Sequence, residues 1–98
     1  MKLILGMLVF TMALPVFGQD AAKGAKLFKK CVACHGKKAE GKKSQKAPRL
    51  AGQHSWYIVT QLIAFKTKKR KNPPMLPFVR KLTPEQMADL GAYLESIK

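Results

Sequence analysis

Cys31, Cys34 and His35 are the residues whose types and spacing can do chemistry together. They stand in the run Cys31-Val32-Ala33-Cys34-His35, a Cys-x-x-Cys-His sequence with the spacing of a c-type haem attachment site. Two thiols one helical turn apart can each add to one of the two vinyl groups of a haem, and the next residue then projects an imidazole at the iron. Three other uses of these residues compete. A redox dithiol belongs at a strand-to-helix turn in a βαβ context, and no strand pattern precedes Cys31. A zinc site could recruit Cys31, Cys34, His35 and His54, but neighbouring Cys34 and His35 would both have to ligate and no second paired motif is present. A disulfide between Cys31 and Cys34 closes almost no loop and would stabilise little. One covalently attached haem c with its iron uses all three residues, and one copy of the motif means one haem.

Ninety-eight residues, 47% apolar and 8% aromatic, suit one small domain with a packed core. A chain this short buries only about 60% of its unfolded surface, so it needs a staple. Lys2 followed by an apolar run from Leu3 to Phe17 reads as a secretory signal, with Pro15 interrupting it and Val16-Phe17-Gly18 offering a cleavage site before Gln19. Residues 1–18 are therefore expected to be removed, leaving residues 19–98 as a domain that works in the periplasm; an uncleaved N-terminal anchor is the alternative. That compartment agrees with the haem reading without using the cysteines.

The remaining chain reads as all-α. Asp20 is a plausible N-cap for a helix that carries Ala21, Ala25, Phe28 and Val32 on one face and runs into the cysteine motif. Residues 36–43 hold two Gly-Lys-Lys triplets without an apolar period and read as a charged loop. A second helix begins near His54 or Ser55, carries Trp56, Tyr57, Ile58, Leu62, Ile63 and Phe65, and ends among cations from Lys66 to Lys71. Asn72-Pro73-Pro74-Met75-Leu76-Pro77 is expected to be a stiff extended loop. The last helix is marked by Thr83 as N-cap, Pro84 at the first helical position and Gln86 completing a capping box, with Met87, Leu90, Gly91, Leu94 and Ile97 on one face.

Nineteen Lys and Arg against five Asp and Glu give +14 and a pI near 10.2. Only Lys2 leaves with the first eighteen residues, so the domain itself carries +13. Lysines at 23, 26, 29, 30, 37, 38, 42, 43 and 46 crowd the segments around the motif, and such a one-signed surface steers docking onto an acidic redox partner. Lys68-Lys69-Arg70-Lys71 also raises nucleic-acid binding, but no reading motif accompanies it, so no nucleic-acid partner is expected. The expected protein is a monomer with at most peripheral membrane contact.

The chain resembles the small soluble class I cytochromes c, in particular the bacterial periplasmic group that includes each half of the dihaem members. The likeness rests on Gly24-Ala25-Lys26-Leu27-Phe28, the Cys31 to His35 motif, Pro48-Arg49-Leu50-Ala51-Gly52-Gln53, Tyr57, Gln61-Leu62, Phe65 and Met75 seven residues before Leu82-Thr83. It implies three to four helices around one haem and an electron carrier, with no catalytic residues, whose iron is held by His35 and a methionine. Beyond residue 18 only Met75 and Met87 are available. Met87 falls on the apolar face of the last helix, whereas Met75 sits in the proline-rich loop, which makes Met75 the expected second ligand; His54, a lysine or an open position are the alternatives. The resemblance also places the Pro48 carbonyl as acceptor for the His35 ring. Arg49, Gln53, Trp56 and Tyr57 are the residues expected to contact the haem propionates, since half-buried carboxylates need donors. Gly24 and Gly91 are expected to let the first and last helices cross closely, beside Phe28, Tyr93 and Leu94. A fixed haem subunit of a larger redox enzyme is the alternative function.

Overall fold

Asp20 starts the first helix. Its backbone is extended and its carboxylate accepts the Lys23 N–H at 3.1 Å, satisfying one of the donors that a helix start leaves unpaired. This computed structural model describes residues 19–98; the expected export segment, residues 1–18, lies outside the described residues. From Asp20 the chain forms α1 (Ala21–Phe28), the single turn α2 (Val32–His35), a 3-10 turn (Lys43–Gln45), α3 (Ser55–Lys66), the single turn α4 (Leu76–Val79) and α5 (Pro84–Ser96). The fold is all-α among the described residues, with three helices of eight residues or more and two single turns where three to four helices were expected.

The expected continuous helix from Asp20 into the cysteine motif is broken after Phe28. Lys29 to Cys31 form a turn, closed by the Cys31 N–H on the Phe28 carbonyl at 2.7 Å, before α2 begins. No Gly or Pro marks this break. It follows from contacts outside the local sequence: Phe28 packs against Tyr93 of α5, ring centroids 5.7 Å apart, while His35 is held by residues 41 and 48.

α5 carries the capping box as expected: Gln86 N–H donates to Thr83 Oγ1 at 3.1 Å and Thr83 N–H donates to Gln86 Oε1 at 3.0 Å. Its buried face is Met87, Leu90, Gly91 and Leu94, and burying one such Leu or Met side chain stabilises by about 1.5–3 kcal/mol. Gly24 allows α1 onto this helix, since a Cβ there would lie 2.7 Å from the Tyr93 Cβ and closer still to the Asp89 carbonyl oxygen. Gly91 corrects the expectation of a shared role. A Cβ on it would lie 2.9 Å from the Ser55 carbonyl oxygen, so it makes room for the start of α3 and not for α1.

The charged segment after the motif is a loop as expected, and the proline segment differs from its expected form. In the charged loop Lys42 and Ala47 exchange backbone hydrogen bonds of 2.9 and 3.1 Å across an isolated antiparallel bridge, with the 3-10 turn between them. Its pivot is Ala39, which is 0% exposed and whose carbonyl accepts the N–H groups of Leu50 and Ala51. In the proline segment, Leu76 and Pro77 are helical. The Val79 and Arg80 N–H groups donate to Met75 and Leu76 carbonyls, and a proline in the first turn removes only an N–H that has no helical partner. The core is formed by Phe28, Ala39, Ala51, Ile58, Leu90 and Leu94.

Candidate functional site

His35 closes α2 and is buried, with 5% of its surface exposed. Its Nδ1 lies 2.9 Å from the Pro48 carbonyl oxygen. A carbonyl only accepts, so Nδ1 carries a proton, and Nε2 has no hydrogen-bond partner among the described residues. Two backbone contacts hold this pair in place: Gly41 N–H donates to the His35 carbonyl at 2.7 Å, and the Ala39 carbonyl receives Leu50 and Ala51 just after Pro48. Gly36, at φ 92°, ends α2, and the Glu40 carboxylate occupies the place where a Cβ on Gly36 would go.

Cys31 and Cys34 are free thiols, half-buried and exposed respectively. Burial pushes the Cys31 thiol up, with the Cys34 charge acting in the same direction and Lys30 against it. Lys42 folds its ammonium onto the Ala33 carbonyl at 3.1 Å, which places a cation beside the exposed Ala33 and Cys34. Glu40 accepts the Lys38 N–H at 3.0 Å, and its own backbone N–H together with that of Lys38 holds its carboxyl below the usual range.

The donor set fits haem c. Two unpaired thiols are joined by one turn to a buried imidazole whose Nδ1 is held by the Pro48 carbonyl. Cys31, Val32, Leu50 and Leu62 pack on the core while staying half-buried, and Tyr57 and Phe78 are exposed. Cys31 and Cys34 would carry the thioether bonds and His35 the iron.

The other expected residues are distributed more widely. Met75 is half-buried at the N-cap of α4, and Met87 is buried in α5 as a core side chain. Pro48 meets His35 as expected. Arg49 is exposed, its Nε donating to the Ala51 carbonyl at 3.4 Å, and Gln53 is half-buried. Trp56 is 66% exposed, stacked on His54 and edge-on to Tyr57. His54 is the N-cap of α3 and lies 3.6 Å from Glu95. Sequence reasoning missed Ala39 and Gly41, which support the His35–Pro48 pair. Gly41 was visible only as a glycine between Glu40 and Lys42, and nothing in the sequence singles out a buried alanine within a charged run.

A family model described as Cytochrome c matches residues 21–98. The chain is 43% identical over 82 residues to cytochrome c4 of Thiocapsa roseopersicina, a match covering 83% of this chain and 41% of that protein. It is 35% identical over 80 residues to cytochrome c-554(548) of Halomonas halodenitrificans, covering 79% of this chain and 95% of that one. Among solved structures, thiosulfate dehydrogenase from Marichromatium purpuratum superimposes with a TM-score of 0.76 at 29% identity, over 80% of this chain and 19% of that one. The chain thus spans less than half the length of the cytochrome c4 it matches.

Proposed function

The chain belongs to the cytochrome c family, with haem c as its covalently bound cofactor, and from that premise we propose that it is a one-electron carrier of the bacterial periplasm whose iron is held by His35 and Met75. When bound, haem c supplies an iron couple that exchanges one electron at a time. The observation that carries the reading is the 2.9 Å contact of His35 Nδ1 with the Pro48 carbonyl, which orients the ring, fixes its tautomer and leaves Nε2 free to ligate.

Met75 suits the second ligand position because its backbone is held on both sides. Its N–H donates to the Asn72 carbonyl at 3.0 Å and its own carbonyl receives Phe78 and Val79. Pro73, Pro74 and Pro77 preset the torsions around it, so little chain entropy is lost in presenting the thioether. With His35 and Met75 both holding it, the iron would offer no open position to a substrate, and a methionine ligand would raise its potential relative to two histidines. Exposed Ala33 and Cys34 put the attachment turn at the surface, with Lys29, Lys30, Lys37, Lys38 and Lys42 close by in the chain. An acidic redox protein is the matching partner. Removal of residues 1–18 during export completes the reading; among the described residues no helix is long and apolar enough to cross a membrane.

Visible spectra of the exported protein in both oxidation states test this. A red-edge band reporting sulfur bound to ferric iron is expected, and its absence would overturn the Met75 assignment. The likeness to part of a thiosulfate dehydrogenase supports a second reading, a haem subunit fixed in a larger enzyme. Isolation with a stoichiometric partner would favour it over a free carrier.

A further inference from the structure

Between α3 and α5 runs a groove of about 580 Å3, lined by Gln19 together with Trp56, Val59, Ala88, Ala92 and Glu95 among others. Gln19 is also the residue that the proposed cleavage after Gly18 would make the first of the exported chain. We infer that, after this cleavage, the α-amine of Gln19 closes on its own side chain and the resulting pyroglutamyl ring stays seated in the groove. The inference rests on the export reading given above.

The chemistry needs only groups that the new terminus carries. The α-nitrogen lone pair attacks the side-chain Cδ, the N–Cδ bond forms, the bond from Cδ to the amide nitrogen breaks, and the α-amine proton leaves with that nitrogen as ammonia. Nothing is oxidised or reduced. An α-amine has an ordinary pKa of about 7.7–8.0, so roughly a tenth of it is already the free base at neutral pH.

The fold supplies the seat. Asp20 is fixed twice: its N–H donates to Asp89 Oδ1 at 2.8 Å, on a carboxylate that is itself buried, and its own carboxylate caps α1 at Lys23. Residue 19, one peptide earlier, is therefore held at the groove and cannot range over the surface. Glu95 is the one charged residue among the groove's lining, and it is already engaged, accepting the Ser55 N–H at 3.1 Å and facing His54 at 3.6 Å. An ammonium on Gln19 would have to share that carboxylate with the Ser55 N–H and His54. A neutral lactam needs no such partner and can lie against Trp56, Val59, Ala88 and Ala92, in a lining that also carries the polar Ser55 and Thr60.

Intact-mass measurement and N-terminal sequencing of the exported, haem-loaded protein test the inference. The expected product has the mass of residues 19–98 plus haem, less one ammonia, and gives no first residue on stepwise degradation. A product that reads Gln19 with a free amine would overturn the ring while leaving the cleavage standing. A product beginning at another residue would overturn both. The seating has its own test in thermal melting of Gln19→Ala, Trp56→Ala and the double variant. Each single change is expected to lower the Tm, and the double change to lower it by less than the sum of the two. Additive losses would overturn the packing of the ring on Trp56.

Discussion

Gly41 lies against Pro48 so closely that a Cβ at residue 41 would sit 2.9 Å from the Pro48 carbonyl carbon. The same glycine donates its N–H to the His35 carbonyl at 2.7 Å, and its φ is 88°. One residue without a side chain thus sets the spacing between the histidine and the carbonyl that orients it.

Gly41→Ala should therefore act on both stability and the iron. The left-handed backbone costs an alanine about 1–3 kcal/mol, and the new methyl pushes Pro48 away from the His35 ring. A weaker Nδ1 hydrogen bond makes the imidazole a poorer donor and shifts the potential. Melting and redox titration together check this, and an unchanged potential would show that the Pro48 contact does not tune the iron.

Met75→Ala and Met87→Ala should separate cleanly. Loss of Met75 lowers the reduction potential and opens the iron to added ligands. Loss of Met87, a buried side chain, costs about 2–5 kcal/mol through the cavity it leaves and spares the ligation. Spectra with and without an added ligand, paired with melting curves, distinguish the two. Retention of the sulfur band in the Met75 variant would reassign the ligand.

The acid limb of stability should carry a contribution from Glu40. Backbone N–H groups hold its carboxyl below the usual range in the folded state. Its stabilising contribution is present above the unfolded carboxylate pKa and disappears as pH falls through the lowered folded value. Glu40→Gln should then flatten the fall in Tm over that acid interval, with little effect on its slope at neutral pH. Parallel Tm curves for both proteins across the interval would remove Glu40 from the account.

Electron exchange with an acidic partner should slow steeply as salt rises, because screening shortens the reach of charge to about 10 Å at 0.1 M. Lys29→Glu and Lys37→Glu, near the attachment turn in the chain, should slow it more than Lys98→Glu at the end, with the potential nearly unchanged in all three. Stopped-flow kinetics across a salt series decide between a patch and net charge: equal slowing by all three means net charge alone.

The amino-acid sequence by itself determined what neighbours in the chain can decide. The attachment motif is five consecutive residues, the caps at Asp20 and Thr83 work across three residues, and the apolar face of α5 repeats at helical spacing, so each was legible, and both caps and the buried positions of α5 were found in place. The tertiary structure decided the rest. It broke the first helix after Phe28 without a breaker residue, because Phe28 is held by α5 and His35 by Gly41 and Pro48. It assigned Gly91 to the start of α3, since the face that a glycine presents says nothing of which helix will arrive there. It curled Leu76 and Pro77 into a turn that their prolines permit only at a helix start. Ala39 shows the reason most plainly: a small apolar residue among lysines carries no local signal, and it is buried because its carbonyl is where residues 50 and 51 find their hydrogen bonds.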